Sequence, residues 1–412
     1  MSAATGLNSA ASSVRPPVLI VGGGIGGLAT AIALDRAGIA TLVLERHPEF
    51  SEAGAGIQLG PNGMRILAEL GVDRVLEPMA GRPDHLEIRD GESARDLARV
   101  PLGAVIAARH GAPYRTAHRA DLQAALLAVA RASPRVTIRG GFEVADVVQS
   151  GEDATVVAID GRREHGACVI AADGLWSRVR SRVFGAGQLG FSFRSAARAL
   201  IPAAQVTPTF GPDHVGIWLA AKTHVVHYPV RGGAEIAVVV VTEDDWRGAE
   251  WSAPADRNSL AERTRRLAPE LRAFLALAPE WRKWSLFDVP PLATWTWGRV
   301  ALLGDAAHPV MPFLAQGGVL ALEDAITIAG CLARGLDNPA AAFVDYERRR
   351  RARAIAVQDG SRDNGRIYHL SGLMAGGRNL VLRSSSPAKL LARYDWLYGW
   401  RPEPLPLPVP GQ

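Results

Sequence analysis

The chain has 412 residues, 48% of them hydrophobic, and a formal net charge of +5. This length exceeds a typical single domain and predicts two domains that share an interface. The small positive excess is spread along the chain, which favours an anionic cofactor or substrate and argues against nucleic acid as a partner. The two cysteines, Cys168 and Cys331, have no metal-site or disulfide spacing, so we expect no metal and a reducing, cytoplasmic location.

The two ends of the chain and its longest apolar runs also limit what the protein can be. Residues 1–16 are rich in Ser and Ala and predict a disordered tail, and the proline-rich residues 401–412 predict an extended one. No apolar run approaches the roughly 20 residues of a membrane-spanning helix, so we expect no membrane partner. The sequence leaves open a homodimer.

A glycine-rich turn lies between two predicted strands near the start of the chain. Gly22, Gly24 and Gly27 fit the G-x-G-x-x-G pattern, in which the glycines allow a tight turn, a close backbone approach to pyrophosphate, and close helix packing. The second strand ends at Glu45, a carboxylate expected to accept both hydroxyls of an adenosine ribose. We assign Glu45 and Arg46 to the site of an adenine dinucleotide other than NADP, because a carboxylate repels a 2′-phosphate.

The following segments alternate between the nucleotide unit and a second layer. Helices are predicted over 61–70 and 119–130, and residues 82–109 alternate in polarity as inserted antiparallel strands do. A buried strand over 168–172 precedes Asp173 and Gly174. Residues 190–284 predict a separate sheet with a helix over 261–276, and strands 224–230 and 235–241 form a hairpin.

The nucleotide unit resumes with a strand over 299–303 that ends at Gly304 and Asp305. Long helices are predicted over 317–333 and from 339 onward. The run of arginines over 348–353 falls on the second of these helices. A solvated helix face is the favoured interpretation, with a binding patch as the alternative.

Three motifs together resemble a known family, the class A flavin-dependent aromatic hydroxylases, of which para-hydroxybenzoate hydroxylase is the best-known type. They are the glycine turn, Ala172-Asp173-Gly174 and the Gly-Asp-Ala-Ala-His-Pro of residues 304–309. Within that class, residues 54–59, 308–317, 323–325 and 395–399 look most like salicylate and 3-hydroxybenzoate hydroxylases. The resemblance covers residues 17–400 and leaves the substrate layer least defined.

The resemblance implies an α/β fold: a Rossmann-like FAD-binding domain of the GR2 type, an interleaved β-sheet substrate domain, and C-terminal helices. We assign residues 17–81, 106–185 and 286–400 to the FAD-binding domain. Residues 82–105 and 186–285 are assigned to the substrate-binding layer.

The resemblance also implies which residues hold FAD. Asp305 would accept a flavin ribose hydroxyl, and Arg119 would reach the FAD phosphates. Asp173 and Gly174 would lie near the pyrophosphate, in a segment that the family uses for both FAD and NAD(P)H. The backbone at Pro312, Gly317 and Gly318 would stabilise negative charge at the flavin pyrimidine edge. The alternatives are helix-capping carboxylates at Asp173 and Asp305 and an ordinary surface arginine at Arg119.

The family's chemistry needs two further co-substrates. With one dinucleotide fingerprint taken by FAD, NADH or NADPH would bind only transiently. O₂ would add at the flavin C4a, and the resulting hydroperoxide would hydroxylate an electron-rich aromatic ring. The protein must then exclude water and supply a base for the substrate's phenol.

Residues 224–230 supply the favoured base. His224 and Tyr228 are an even number of residues apart on one predicted strand, so they face the same side, while His227 faces the other. The pair looks like the site pair of 3-hydroxybenzoate and hydroxynicotinate hydroxylases; the alternative is an ordinary half-buried histidine. Gln316 is a third catalytic candidate, as a hydrogen-bonding partner of the substrate.

Two aromatic residues complete the prediction of the substrate site. Trp218 and Phe210 are candidates for pocket walls or for plain core packing. The predicted function is hydroxylation of a small phenolic acid, with a heteroaromatic or a larger polycyclic substrate as alternatives. An alternative of another class is a non-catalytic flavin-binding protein.

Overall fold

The computed structural model describes residues 15–50, 56–185, 189–248 and 252–406, so the predictions for residues 1–14, Gly54, Ala55 and 407–412 lie outside the described residues. The strands are β1 (Val18–Val21), β2 (Thr41–Leu44), β3 (Gly56–Leu59), β4 (His85–Asp90), β5 (Asp96–Pro101), β6 (Arg115–His118), β7 (Val136–Arg139), β8 (Val144–Ser150), β9 (Asp153–Ala158), β10 (Arg163–Gly166), β11 (Cys168–Ala171), β12 (Gly190–Pro202), β13 (His214–Ala220), β14 (Thr223–Val230), β15 (Glu235–Glu243), β16 (Ala253–Pro254), β17 (Arg282–Asp288), β18 (Thr296–Trp297) and β19 (Val300–Leu302).

The helices concentrate in the first third and the last quarter of the chain. They are α1 (Ile25–Arg36), α2 (Pro61–Glu69), α3 (Asp73–Leu76), α4 (Gly103–His110), α5 (Arg119–Ala132), α6 (Arg178–Val183), α7 (Arg257–Arg263), α8 (Pro269–Ala276), α9 (Gly317–Gly335), α10 (Pro339–Tyr368), α11 (Gly372–Ser384), α12 (Pro387–Ala392) and α13 (Asp395–Tyr398). No described helix is both long and apolar enough to cross a membrane.

A six-stranded sheet in the order β18-β19-β11-β1-β2-β7 carries the nucleotide unit. Its central strand, β1, is buried along its length and pairs in parallel with β2 and β11, as expected for an apolar strand covered on both faces. Val21 pairs with Leu44 and with Ala171, which in turn pairs with Leu302. The segments that follow these strands therefore leave the sheet at the same edge, where ligands bind in open α/β sheets.

An eight-stranded sheet in the order β16-β17-β12-β15-β14-β13-β4-β5 forms the second layer. It combines strands from residues 85–101 with strands from residues 190–288. One face packs against Met311 and Phe313 of the nucleotide unit. The opposite face packs against α7 and α8 through a separate apolar cluster that includes Leu260, Leu271 and Phe274.

Two predicted segments differ from the structure. The strand-like alternation over 82–109 holds for β4 and β5 only, since residues 103–110 form α4, which ends at a left-handed Gly111. The predicted helix over 261–276 is two helices, because α7 ends before Thr264 and α8 starts at Pro269. Proline favours the first position of a helix and cannot continue one from its interior, which explains the break.

Candidate active site

The glycine turn after β1 has the geometry of a dinucleotide cradle. Gly22 has φ +104°, and a Cβ on it would lie 2.5 Å from the carbonyl oxygen of Ala172. A Cβ on Gly27 would lie 1.9 Å from the oxygen of Gly22, so this glycine is required by helix packing. A Cβ on Gly24 meets no described atom within 4 Å. Gly24 therefore borders open space, as a residue that a pyrophosphate approaches should.

Glu45 follows β2 and turns back over this cradle. Its Oε2 accepts a hydrogen bond from the backbone N–H of Gly23 at 2.7 Å, and its Oε1 accepts one from the N–H of His47 at 3.0 Å. The predicted position of Glu45 beside the glycine turn thus agrees with the structure. Arg46 is exposed, and its Nε lies 3.1 Å from Nε2 of His47.

Asp173 and Gly174 reach the same edge after β11, but the Asp173 side chain has a local role. Its carboxylate accepts hydrogen bonds from the hydroxyl of Ser177 at 2.6 Å and from the N–H of Val179 at 3.2 Å. These contacts match the helix-capping alternative. Burial raises the pKa of Asp173, and the same hydrogen bonds limit the rise. Gly174 has φ +75° with no described atom near its Cβ position, so its backbone remains open to a ligand.

Asp305 comes directly after β19 and lies beside the start of α9. A Cβ on Gly317 would be 3.8 Å from its Oδ1. Burial raises the pKa of Asp305, while the charges of Arg119, His308 and Arg180 lower it. The charge of Arg119, at the start of α5, also lowers the pKa of Tyr228 in the second layer.

The segment before α9 presents backbone amides at a helix N-terminus. Pro312–Leu314 form one 3-10 turn, and Ala315 has left-handed φ +53°. The helix starts at Gly317 without a side-chain cap, as α1 does after Gly24. A Cβ on Gly318 would lie 2.7 Å from Ile57 and 3.7 Å from Ile25, so the two uncapped helix starts are close together.

This donor set fits FAD. Uncapped N–H groups at a helix start bind negatively charged groups. Phosphates are such groups, and a reduced flavin ring also acquires negative charge. The start of α1 with Gly24 and Glu45 fits the pyrophosphate and adenosine, whereas Asp305 and the start of α9 fit the flavin end. The residues present therefore fit the predicted cofactor at both ends.

Gln316 lies just before α9, and its side chain is buried. Its Oε1 accepts a hydrogen bond from Nδ2 of Asn62 at 3.0 Å, and the same amide nitrogen donates to Glu323 at 2.8 Å. The oxygen of Gln316 therefore has a partner on α2. Hydrogen bonding of Gln316 to a substrate stays a prediction.

A buried charge network under α9 was missed by the sequence analysis. Arg350 contacts both Glu323 and Asp324, and Arg353 donates to Glu323. Asp324 also accepts from the N–H of Gly304 and contacts His308 at 2.6 Å. Burial favours a higher pKa for Asp324, but His308 and Arg350 lower it to about 2.

The arginine run over 348–353 is thus not simply a solvated face, and that interpretation was wrong for two of its members. Arg350 is 1% exposed and the Arg353 side chain 12%, whereas the Arg348 side chain is 75% exposed. The helical spacing of Tyr346, Arg350 and Ala354, all inward, was the available signal. The network ties α10 to the helix whose start faces the flavin site.

His224 and Tyr228 lie on β14 and face the nucleotide unit. The ring centroid of His224 is 5.5 Å from that of Phe313, in the segment before α9. Burial, followed by the charges of His369 and Arg194, lowers the pKa of His224 well below its usual value. Tyr228 is packed against Gly56, where a Cβ would come within 2.3 Å of its ring. Burial also raises the pKa of Tyr228, so its hydroxyl is neutral.

Two further residues on this side were not predicted. Nδ1 of His224 is 2.8 Å from Nε2 of His369, the C-cap residue directly after α10. Arg198 is buried on β12, two residues after Ala196, which packs with Phe313, so both face the nucleotide unit. The Arg198 guanidinium lies 4.5 Å from the ring centroid of Trp284 and lowers the pKa of Tyr228.

Trp218 and Phe210 lie on the other face of the sheet, so the pocket-wall interpretation was wrong. Their rings are 5.5 Å apart and Phe210 stacks on Phe274 of α8 at 4.0 Å. His227 belongs to the same cluster. The alternative interpretation, core packing, therefore applies to Trp218 and Phe210, and His227 packs in the same way.

Comparison with known proteins agrees with this geometry. The FAD binding domain family matches residues 15–361. Over 383 residues, the chain is 36% identical to 3-hydroxybenzoate 6-hydroxylase 1 of Aquipseudomonas alcaligenes, covering 93% of this chain and 97% of that protein. It is 34% identical to 6-hydroxynicotinate 3-monooxygenase of Bordetella bronchiseptica, covering 85% and 91%. The crystal structure of Klebsiella pneumoniae HpxO with FAD and uric acid has a TM-score of 0.83 at 26% identity, covering 93% and 96%.

The chain belongs to the FAD-dependent aromatic hydroxylases. Its cofactor is FAD, and NAD(P)H and O₂ are its co-substrates. The predicted α/β fold and the predicted flavin-dependent monooxygenase class are confirmed. Family membership favours an enzyme over the non-catalytic flavin-binding alternative.

In this hydroxylase residues 395–399 contact several of the elements that surround the site. Asp395 accepts two hydrogen bonds from Arg109, and the Tyr398 ring lies against Gly60. Arg353 donates to the carbonyl oxygen of Leu397 at 2.9 Å. The motif therefore connects the charge network of α9 and α10 to α2 and α4.

Proposed function

We propose that this hydroxylase acts on a small aromatic acid with a phenolic hydroxyl, of the 3-hydroxybenzoate type. The observation that carries the proposal is the placement of His224 and Tyr228 on the sheet face that meets the segment before α9. The identity to 3-hydroxybenzoate 6-hydroxylase over nearly the whole chain supports it. Overall, one oxygen atom of O₂ enters the ring, the other leaves as water, and NAD(P)H supplies the two electrons.

FAD supplies the redox chemistry when bound, by taking electrons from NAD(P)H and activating O₂. Its adenosine and pyrophosphate end would be held by Gly22, Gly24, Gly27, Glu45 and Gly174, with Arg119 at the phosphates. Its ribityl and flavin end would be held by Asp305 and by the backbone at Pro312, Gly317 and Gly318. Asp173, whose carboxylate accepts from Ser177 and Val179, would position Gly174 in this site, and Arg46 would border the adenosine from the exposed side.

His224 is the base in this proposal. Because its pKa is lowered by burial, its ring is neutral near pH 7 and has a lone pair available. A base removes the phenol proton as the ring is attacked, which makes the aromatic carbon more electron-rich. Phe313 and Tyr368 pack against His224, with ring centroids 5.5 and 5.2 Å from its own. These contacts keep bulk water from the His224 imidazole.

The acid group of the substrate has partners on the same face. Tyr228 is a neutral hydroxyl donor, and Arg198 is a buried cation on the neighbouring part of the sheet. A carboxylate is the anion that an arginine and a tyrosine recognise together through charge-assisted hydrogen bonds. Gln316 is proposed to bind the substrate through its amide nitrogen, since its oxygen already accepts from Asn62.

A heteroaromatic substrate is the second candidate. The 34% identity to 6-hydroxynicotinate 3-monooxygenase favours it, because the substrate in that enzyme's name has a hydroxyl on a nitrogen-containing ring. The catalytic demand is the same, so His224 would act in the same way. The two candidates differ in ring nitrogen content and not in the position of the base.

A substrate panel tests the proposal. The FAD-loaded protein is mixed separately with 3-hydroxybenzoate, salicylate, 6-hydroxynicotinate and a polycyclic phenol, and oxidation of NADH and of NADPH is followed. We expect a hydroxybenzoate to accelerate NAD(P)H oxidation and to gain 16 mass units by oxygen insertion. Acceleration by 6-hydroxynicotinate alone would favour the second candidate. Failure of every aromatic acid to yield a hydroxylated product would refute the proposal.

A further inference from the structure

His224 is hydrogen-bonded to a histidine from a distant part of the chain. The two residues are separated by 145 positions, and Nδ1 of His224 lies 2.8 Å from Nε2 of His369. Their ring centroids are 5.0 Å apart. The backbone N–H of Lys222 also donates to the carbonyl oxygen of His369 at 3.5 Å, so the end of α10 is attached where β14 begins. The side-chain contact between the two histidines is therefore accompanied by a backbone hydrogen bond between the same two segments.

One hydrogen bond between two neutral imidazoles needs one N–H and one lone pair. Burial and the nearby charge of Arg194 lower the pKa of both rings, that of His369 to about 4, so the pair is neutral near pH 7. If Nδ1 of His224 donates, its Nε2 keeps a lone pair and can accept a proton from a phenol. If Nε2 of His369 donates instead, Nε2 of His224 carries the hydrogen and cannot act as a base.

Aromatic rings and arginine side chains surround the pair of histidines. Phe313 and Tyr368 pack against the His224 ring, and Phe313 also contacts His369 with centroids 6.1 Å apart. The charges facing the pair are cationic, Arg194 towards both rings and Arg378 towards His369. Within the part of the chain that the structure describes, Nδ1 of His369 has no hydrogen-bonding partner. Nothing described there therefore forces His369 to be the donor.

We propose that His369 is a positioning residue of the hydroxylation site, which accepts the Nδ1–H of His224 and so keeps the lone pair of His224 on Nε2. The inference rests on the proposed function, because it concerns the base of that reaction. The phenol O–H bond breaks, its proton bonds to Nε2 of His224, and the electron pair stays on the substrate oxygen. The positive charge on the His224 ring is then shared through the hydrogen bond with His369.

The role is the one that an acceptor behind a catalytic imidazole commonly has, fixing the tautomer and stabilising the protonated ring. It also gives α10 a function beyond packing. That helix holds the charge network under α9 through Arg350 and Arg353, and the residue that orients the base is its C-cap. The flavin end and the base are thereby fixed by one element.

The test compares His369→Gln with His369→Leu in the FAD-loaded protein. A glutamine can place its amide oxygen where Nε2 of the histidine accepts, whereas leucine has similar bulk and no acceptor. For His369→Leu we expect the rate of hydroxylation to fall roughly 10- to 100-fold with little change in KM, the loss of a hydrogen bond to a charged group. For His369→Gln we expect a rate within about threefold of the wild type.

A second measurement does not depend on turnover. Ionisation of bound 3-hydroxybenzoate is followed by ultraviolet difference spectra against pH, and we expect the apparent pKa of the bound phenol to rise by about one unit in His369→Leu but not in His369→Gln. His227→Leu, a change on the same strand but the opposite face, is the matched control and should leave this pKa unchanged. Equal effects of the leucine and glutamine variants on rate and phenol pKa would overturn the proposal.

Two outcomes separate this inference from the proposed function. If His224→Asn hydroxylates as the wild type does, the assigned base is wrong and the proposed function loses its catalytic residue. If His224→Asn is impaired but His369→Leu is not, only the role of His369 is wrong. Nitrogen-15 NMR of histidine-labelled wild-type protein covers the case in which a variant fails to fold: we expect His224 protonated at Nδ1 and not at Nε2, and the reverse tautomer would contradict the proposal.

Discussion

The two faces of the eight-stranded sheet contain buried histidines only three residues apart, and they differ in what surrounds them. His224 and His227 are 3% and 0% exposed, and burial lowers the pKa of both well below the usual histidine value. His224 has a hydrogen-bonding partner in His369 and lies beside the segment before α9. Neither ring nitrogen of His227 has a hydrogen-bonding partner among the described residues, and its ring packs on Phe210 and Phe274.

This difference shows that a perturbed pKa does not by itself identify a functional residue. Desolvation is the largest cause of the lowered pKa of both rings, so a lowered pKa alone would select His227 as readily as His224. What separates them is the direction of the side chain, which alternates along a strand. The face towards the nucleotide unit places His224 beside the segment before α9, whereas the face towards α8 places His227 against Phe274 and the ring of His214, away from that segment.

The largest expected effect is loss of the base on the inner face. In His224→Asn we expect hydroxylation to slow by roughly 10²- to 10⁴-fold, the range found for general-base catalysis, with FAD still bound. NAD(P)H oxidation should continue in part without product, so the ratio of product to oxidised coenzyme is the decisive measurement. An unchanged ratio and rate would remove the functional distinction between the two faces.

A smaller effect is expected from the second inner-face residue. In Tyr228→Phe the substrate loses one hydrogen bond, which we expect to raise KM roughly tenfold for a carboxylate substrate while kcat changes less. The matched change on the outer face is Trp218→Phe, which should lower stability through the smaller ring and leave KM as it is. A rise in KM in both variants, or in neither, would contradict the assignment of the inner face to substrate binding.

The sequence predicted best what is local along the chain. The glycine turn, Glu45 and the parity of His224 and Tyr228 depend on spacings of a few residues, and the structure places them as expected. The glycine requirement at positions 22 and 27 follows from contacts within one βαβ unit. Such patterns are visible without knowledge of any tertiary contact.

The residues that sequence reasoning missed are joined by contacts between distant segments. His369 meets His224 across 145 residues, and Asn62 meets Gln316 across 254. Arg350 was hidden in a run of arginines that resembles an exposed helix face, and only the packing of α10 on α9 shows that it is buried. The hydrogen bonds of Asp173 to Ser177 and Val179 near the start of α6 are likewise seen only in the structure.

Acidification offers a test in which the two faces should behave alike. A histidine whose pKa is lower in the folded than in the unfolded chain binds more protons when unfolded, so its contribution to stability is complete above about pH 6.5 and is lost as the pH falls below that value. The loss is about 1.4 kcal/mol per pH unit for each such histidine.

We therefore expect the free energy of unfolding, measured by urea at pH 7 and at pH 5 with excess FAD, to fall less steeply in His224→Asn and in His227→Leu than in the wild type. The reduction in slope should be similar for the two variants, although only the first loses hydroxylation. A slope that changes in one variant alone would show that the two rings do not share the same electrostatic environment, and the comparison would have to be revised.

The smallest effect is expected from His227→Leu at neutral pH. The histidine ring is buried against Phe210 and Phe274 with both nitrogens unpartnered among the described residues, so replacing it removes polar atoms that lost hydration without gaining hydrogen bonds. Leucine is apolar and of similar bulk, but its branched shape does not match the planar imidazole, and these two changes oppose each other in the core. We expect the free energy of unfolding to stay within about 1 kcal/mol of the wild type and hydroxylation to be unchanged. Thermal unfolding and the rate of product formation measure both, and a large loss of activity would mean that the outer face takes part in the reaction.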